Sequence, residues 1–160
     1  MITIFTFLSV ALVLAASLHD VAARTIPNGV SVALAAVGAG GAFLTGHALP
    51  SLVLGAGVFG IATLCWRRGW LGGGDVKLLG AAALALSPAS VPAFLATVAI
   101  GGGFLAALYL ILRRIVPGPG PSKPRALLAR FARAEQWRLQ RRGSLPYACA
   151  IAAGFLFVTL

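Results

Sequence analysis

Gly72-Gly73-Gly74-Asp75-Val76-Lys77 is a glycine run that ends in a carboxylate at the mouth of an apolar segment. The chain has only three acidic residues, Asp20, Asp75 and Glu135. Asp20 and Asp75 both sit at the ends of apolar runs. An ionisable group at a membrane boundary is costly to keep, so such groups point to function. Alone, either aspartate reads as a helix-end residue reaching for the lipid headgroups. Two of them, in surroundings otherwise free of acids, read as one pair that does chemistry.

The surroundings decide the fold class. Of 160 residues, 59% are hydrophobic and 10% charged, where a soluble domain carries about 25% charged residues. Folded in water, such a chain would expose a large apolar surface. The composition therefore predicts an all-α, polytopic integral membrane protein: a single membrane domain over residues 1–160 with about six transmembrane helices. Cys65 and Cys149 lie in apolar segments, without a CxxC or a Cys/His cluster. No metal site, no cofactor and no disulfide are expected, and both thiols read as buried and inert.

Upstream of the glycine run, residues 1–18 form an uncharged apolar stretch, at the short end of the roughly 17–25 residues that cross a bilayer. It lacks the basic start of a signal peptide and reads as the first span. A polar loop with His19, Asp20 and Arg24 follows and closes on Ile26-Pro27-Asn28, with proline near the next helix start. Further spans are expected at 29–49, 51–66, 76–86, 93–112 and 145–160. His47 with Pro50, and Ser87 to Pro92, mark uncharged turns. Gly55-x-Gly57-x-x-Gly60 matches a dinucleotide fingerprint but lies inside an apolar helix with no strand before it, so it reads as close helix packing. Gly101 to Gly103 suggest close packing or a bend. Pro117 to Pro121 form a linker, and 125–142 a basic interfacial helix.

The 13 Lys and Arg fall in or beside alternate loops: Arg24; Arg67, Arg68 and Lys77; and the rest in a long loop at about 113–144. Basic loops stay in the cytoplasm, which places both termini in the periplasm and both aspartates at the cytoplasmic face. The net charge of +10 is thus a topology signal, with attraction of the basic loop to anionic lipid. No nucleic-acid partner is expected, because aromatic residues are not interleaved with the basic ones for base stacking.

Two carboxylates held together cannot both ionise easily, so the pair shares a proton. The charged member can take a proton from water while the neutral one hydrogen-bonds a peptide carbonyl, without metal or covalent intermediate. A helix N-terminus favours the anion of Asp75, and a position past a helix C-terminus disfavours that of Asp20. Asp75 is therefore expected to be the more ionised. Gly72 and Gly74 are read as permitting backbone conformations closed to other residues and the approach of a substrate strand. Lys77 can tune the pair or anchor at lipid heads. Arg24 and Asn28 can order the first loop or bind substrate backbone.

Three stretches resemble the prepilin peptidase family, membrane aspartic proteases of the GxGD class. They are Asp20-x-x-x-Arg24-x-Ile26-Pro27-Asn28, Gly72-x-Gly74-Asp75-Val76-Lys77-Leu78, and the Leu145-Pro146-Tyr147 segment that runs on to Gly154. The resemblance implies Asp20 and Asp75 as catalytic pair, and cleavage of the leader from type IV prepilins at the cytoplasmic face of the inner membrane. The chain lacks the tetracysteine region and the length of bifunctional members, so it resembles the short branch that processes Flp-type pilins in tight-adherence systems, and no methyltransferase activity is expected. Prepilin leaders are usually basic, so the basic loop is read as facing lipid or an assembly partner. Two non-enzymatic readings compete: a small proton- or cation-coupled transporter, and an inactive scaffold of a pilus assembly complex. Acids at one membrane edge disfavour the first, and two placed acids disfavour the second.

Overall fold

Inside a bilayer, apolar side chains gain little by leaving lipid for one another, so helices associate where small residues allow close contact. This chain is arranged that way. The computed structural model describes residues 2–116, 133, 136–137 and 145–160, which contain six α-helices and no strand among them. They are α1 Ile2–Ala23, α2 Asn28–Leu44, α3 Ala48–Arg67, α4 Gly73–Ala85, α5 Val91–Ile115 and α6 Tyr147–Thr159, with a short 3-10 turn at Pro88–Ser90. Large apolar side chains such as Phe7, Leu18, Phe43, Ile61 and Phe104 point outward, while Ala81, Ala82, Ala83, Ala148 and Ala152 are buried. The protein is a polytopic all-α membrane protein. Ile4–Ala23, Ala48–Arg67 and Pro88–Ile115 are long and apolar enough to cross a membrane, whereas α2 and α6 are apolar but shorter.

The chain divides into two compact units. One comprises Met1–Gly102 with Pro146–Leu160, and holds all the features described below; the other is Gly103–Leu145. Within the first unit α4 is central. Its residues Asp75, Val76 and Leu78 to Ala83 are buried, and it packs most closely against α3 and α2. Each neighbour presents a stripe at helical spacing: Ser9, Val13, Ala16 and Asp20 on α1; Ser31, Leu34, Gly38 and Ala42 on α2; Ser51, Gly55, Val58 and Ala62 on α3. Phe94 of α5 and Phe155 of α6 meet edge to face, with centroids 6.3 Å apart.

The boundaries differ from the sequence expectation in instructive ways. The first helix runs to Ala23 rather than stopping at Leu18, because Asp20 finds partners inside the fold. Arg24 ends it in a left-handed conformation (φ 55°), with its amide bonded to Asp20 O at 2.8 Å. The second helix stops at Leu44 rather than Leu49. Gly46, at φ 76°, closes a Schellman motif in which the His47 amide reaches Ala42 O (2.9 Å) and the Gly46 amide reaches Phe43 O (3.2 Å). Gly69 does the same for α3. Of the three glycines in the fingerprint-like run, only Gly55 meets a neighbouring helix, against Leu84 and Gly80 O; Gly57 and Gly60 face open space. The expected linker lies outside the described residues, and so does the expected basic helix apart from Arg133, Gln136 and Trp137.

Candidate active site

Asp75 is the third residue of α4, and that register explains its setting. Gly72 is the N-cap and has no side chain to offer the first turn. An acid at the third helical position can reach back to the N-cap amide, the reciprocal half of a capping box. Asp75 does this, accepting a hydrogen bond from the backbone of Gly72. Gly72 itself adopts φ −74° and ψ 146°, values open to any residue. Conformational freedom, one of the two reasons expected for the glycines, is therefore not called on at Gly72. Room is: a Cβ on Gly72 would lie 2.7 Å from Asp75 Oδ2. A Cβ on Gly74 would lie 3.1 Å from Ile26 Cβ, so Gly74 lets the Ile26-Pro27-Asn28 loop close onto the head of α4.

Asp20 arrives from the other side. It lies in the last turn of α1, at the end of the buried stripe, and is only 6% exposed. Its Oδ2 accepts the Ala148 amide at 3.3 Å. Ala148 is in the first turn of α6, whose N-cap, Pro146, provides no side-chain cap. First-turn amides lack partners within their own helix, and Asp20 serves as an acceptor supplied by a distant helix. The expected order of ionisation rested on Asp75 lying at a helix N-terminus, where the structure places it, and on Asp20 lying beyond a helix C-terminus. The structure removes the second ground: Asp20 is inside its helix and faces the N-terminus of another.

The two carboxylates are close enough to interact. The carboxyl of Asp75 precedes the apolar run of α4 and lies in none of the three long apolar helices. Its pKa is raised to about 6, by burial first and by the charge of Asp20 second, against the lowering effect of the Gly72 backbone hydrogen bond. Asp75 also interacts electrostatically with Tyr147, and Tyr147 with Cys65.

The contacts of the remaining predicted residues tie the neighbouring helix ends to one another. Lys77, expected to tune the pair or to anchor at lipid heads, donates its Nζ to Asn28 Oδ1 at 2.8 Å, tying α4 to the start of α2. Pro27 is the N-cap of α2, in extended conformation. Arg24 follows Asp20 at the helix end, and His19 Nδ1 lies 2.7 Å from Thr25 O, fastening the turn between them. Cys149 receives the Ser17 hydroxyl at 3.3 Å, and both cysteines are free thiols. Among the described residues no group of His, Cys, Asp and Glu could hold a metal. Sequence reasoning missed Tyr147 and the Ala148 amide as members of the site. The Pro146-Tyr147 dipeptide was the available signal, since a proline N-cap leaves first-turn amides seeking an outside acceptor.

A helical bundle that is apolar outside is an integral membrane protein, and this one brings two buried acids together at one end. The sequence profile of the type IV leader peptidase family matches residues 7–111, and the chain belongs to that family. It is thereby placed among peptidases, enzymes that hydrolyse peptide bonds. The matched stretch includes Asp20, Asp75 and every residue singled out between them, and ends before α6. Comparison with curated proteins and with solved structures gave no match.

Proposed function

We propose that this protein removes the leader peptide from type IV prepilins, of the Flp type, by activating water on the Asp20–Asp75 pair. The observation that carries the reading is the meeting of two of the three acids of the chain, both buried, at one end of an apolar bundle. With one proton shared between them, the ionised carboxylate takes a proton from water as the oxygen attacks the scissile carbonyl. The protonated carboxyl donates a hydrogen bond to the carbonyl oxygen, which becomes a hydroxyl in the tetrahedral intermediate. Collapse of that intermediate returns a proton to the pair, delivers one to the amide nitrogen and breaks the C–N bond, leaving a carboxylic acid and an amine. The raised pKa of Asp75 and the amide bound to Asp20 favour Asp75 as the member that holds the proton.

Arg24, Arg67, Arg68 and Lys77 all lie at the end of the bundle that carries the acids. By the preference of basic residues for the cytoplasm, that end faces the cytoplasm of the inner membrane. A prepilin hydrophobic helix lying in the bilayer beside the bundle would bring its scissile bond to this edge, and holding bond and pair together supplies much of the rate. The decisive test is co-expression with a prepilin, scoring leader removal by wild type, Asp20→Asn and Asp75→Asn. Each substitution is expected to lower processing by at least about a hundredfold with normal membrane insertion. Full processing by either variant sinks the proposal.

A further inference from the structure

Beside the acid pair lies an apolar pocket of about 320 Å³, walled chiefly by Val58, Ala62, Cys65, Leu71, Leu79 and Tyr147. Its position is tied to the pair in two independent ways. Leu71 and Leu79 stand four residues before and four after Asp75, and Leu79, one helical turn on, shares its face of α4. Tyr147 is followed by Ala148, whose amide binds Asp20, so one wall of the pocket is joined to the acid site through the first turn of α6. The floor is made small by Ala62 and Val58, on the buried stripe of α3. At the rim, Trp70 is steadied by the Arg68 guanidinium, 5.3 Å from its ring centroid. Tyr147 is held from behind by Gly102, where a Cβ would come 2.7 Å from the phenolic oxygen.

The volume lies at the lower end of the roughly 300–1,000 Å³ typical of ligand pockets. It suits a side chain or two, not a helix. No lining residue carries a formal charge at neutral pH, so a charged side chain would be desolvated there without a partner. We infer that this pocket receives an apolar substrate side chain next to the scissile bond and sets the preference at that position. The inference rests on the peptidase reading and adds to it the chemistry of one subsite.

The test combines a filled pocket with a reporter in its wall. Prepilins carrying Ala, Leu or Trp at each position flanking the cleaved bond are given to wild type and to Ala62→Phe, with Val58→Leu as the substitute if Ala62→Phe does not insert. At one position, the ratio of kcat/KM for the large over the small side chain is expected to fall at least about tenfold in the filled variant. In Asp20→Asn carrying Cys149→Ala, alkylation of Cys65 by N-ethylmaleimide is expected to slow at least about tenfold when uncut prepilin is added, as a covered pocket requires. An enzyme that cleaves prepilin but shows an unchanged ratio, or unprotected Cys65, overturns the pocket assignment and leaves the peptidase reading standing. A wild-type chain that cleaves no prepilin overturns both.

Discussion

Asp75 pays for its position with stability, and that makes it measurable. Its carboxyl has a pKa of about 6 in the fold against 3.8 when unperturbed, so the folded state holds the proton more tightly. The cost of ionising it is absent below pH 3.8, grows between 3.8 and about 6, and is complete above. Asp75→Asn removes that cost, which at this shift amounts to at most about 3 kcal/mol. The variant in detergent is expected to melt higher than wild type at pH 7–8, with the gain vanishing below about pH 4. A lower melting temperature at neutral pH would show that the Gly72 hydrogen bond outweighs burial. The same shift bears on catalysis. The singly protonated pair is depleted as pH rises through the higher of its two apparent pKa values, so kcat/KM for leader cleavage is expected to fall on an alkaline limb at about pH 6 or above. A limb near pH 4, in the ordinary carboxylate range, would contradict it.

At the scale of elements, the site is made from helix ends. The last turn of α1 and the first turns of α4 and α6 converge, and each aspartate satisfies a first-turn or N-cap amide that has no other acceptor in its own helix. The seam between α5 and α6 holds this arrangement from one side. Val91, Phe94, Val98 and Gly102 form the buried stripe of α5, and Gly102 leaves no space for a side chain against the Tyr147 ring. Gly102→Leu is expected to destabilise the detergent-solubilised protein by about 1–3 kcal/mol through overpacking, seen as a lower melting temperature. Because Tyr147 adjoins Ala148, whose amide binds Asp20, cleavage should fall with it. Unchanged melting and cleavage would mean that α6 packs elsewhere.

For the whole molecule, the placing of charge decides which way the site faces. α1 begins and α6 ends at the end of the bundle away from the acids. On the proposed orientation, with the basic residues in the cytoplasm, a reporter enzyme fused after Leu160 is expected to be active only when it is one that works in the periplasm. A cytoplasmic reporter active at that position would invert the bundle and take the acids away from the leader side.

Much of this was readable along the chain. Composition alone implied helices in a bilayer, because a chain with 10% charged residues has no means of covering its apolar surface in water. The alternation of basic loops implied that Asp20 and Asp75 share an end, because direction in a bundle reverses with each helix. What the tertiary structure alone decided are contacts between segments far apart in sequence. The Ala148 amide lies 128 residues from the carboxylate it meets, and Lys77 lies 49 from Asn28. Nor did local pattern show that Gly72 and Gly74 provide space beside a carboxylate and a distant isoleucine. Spacing along one helix specifies which face turns inward, and only the packed neighbours specify what that face will touch.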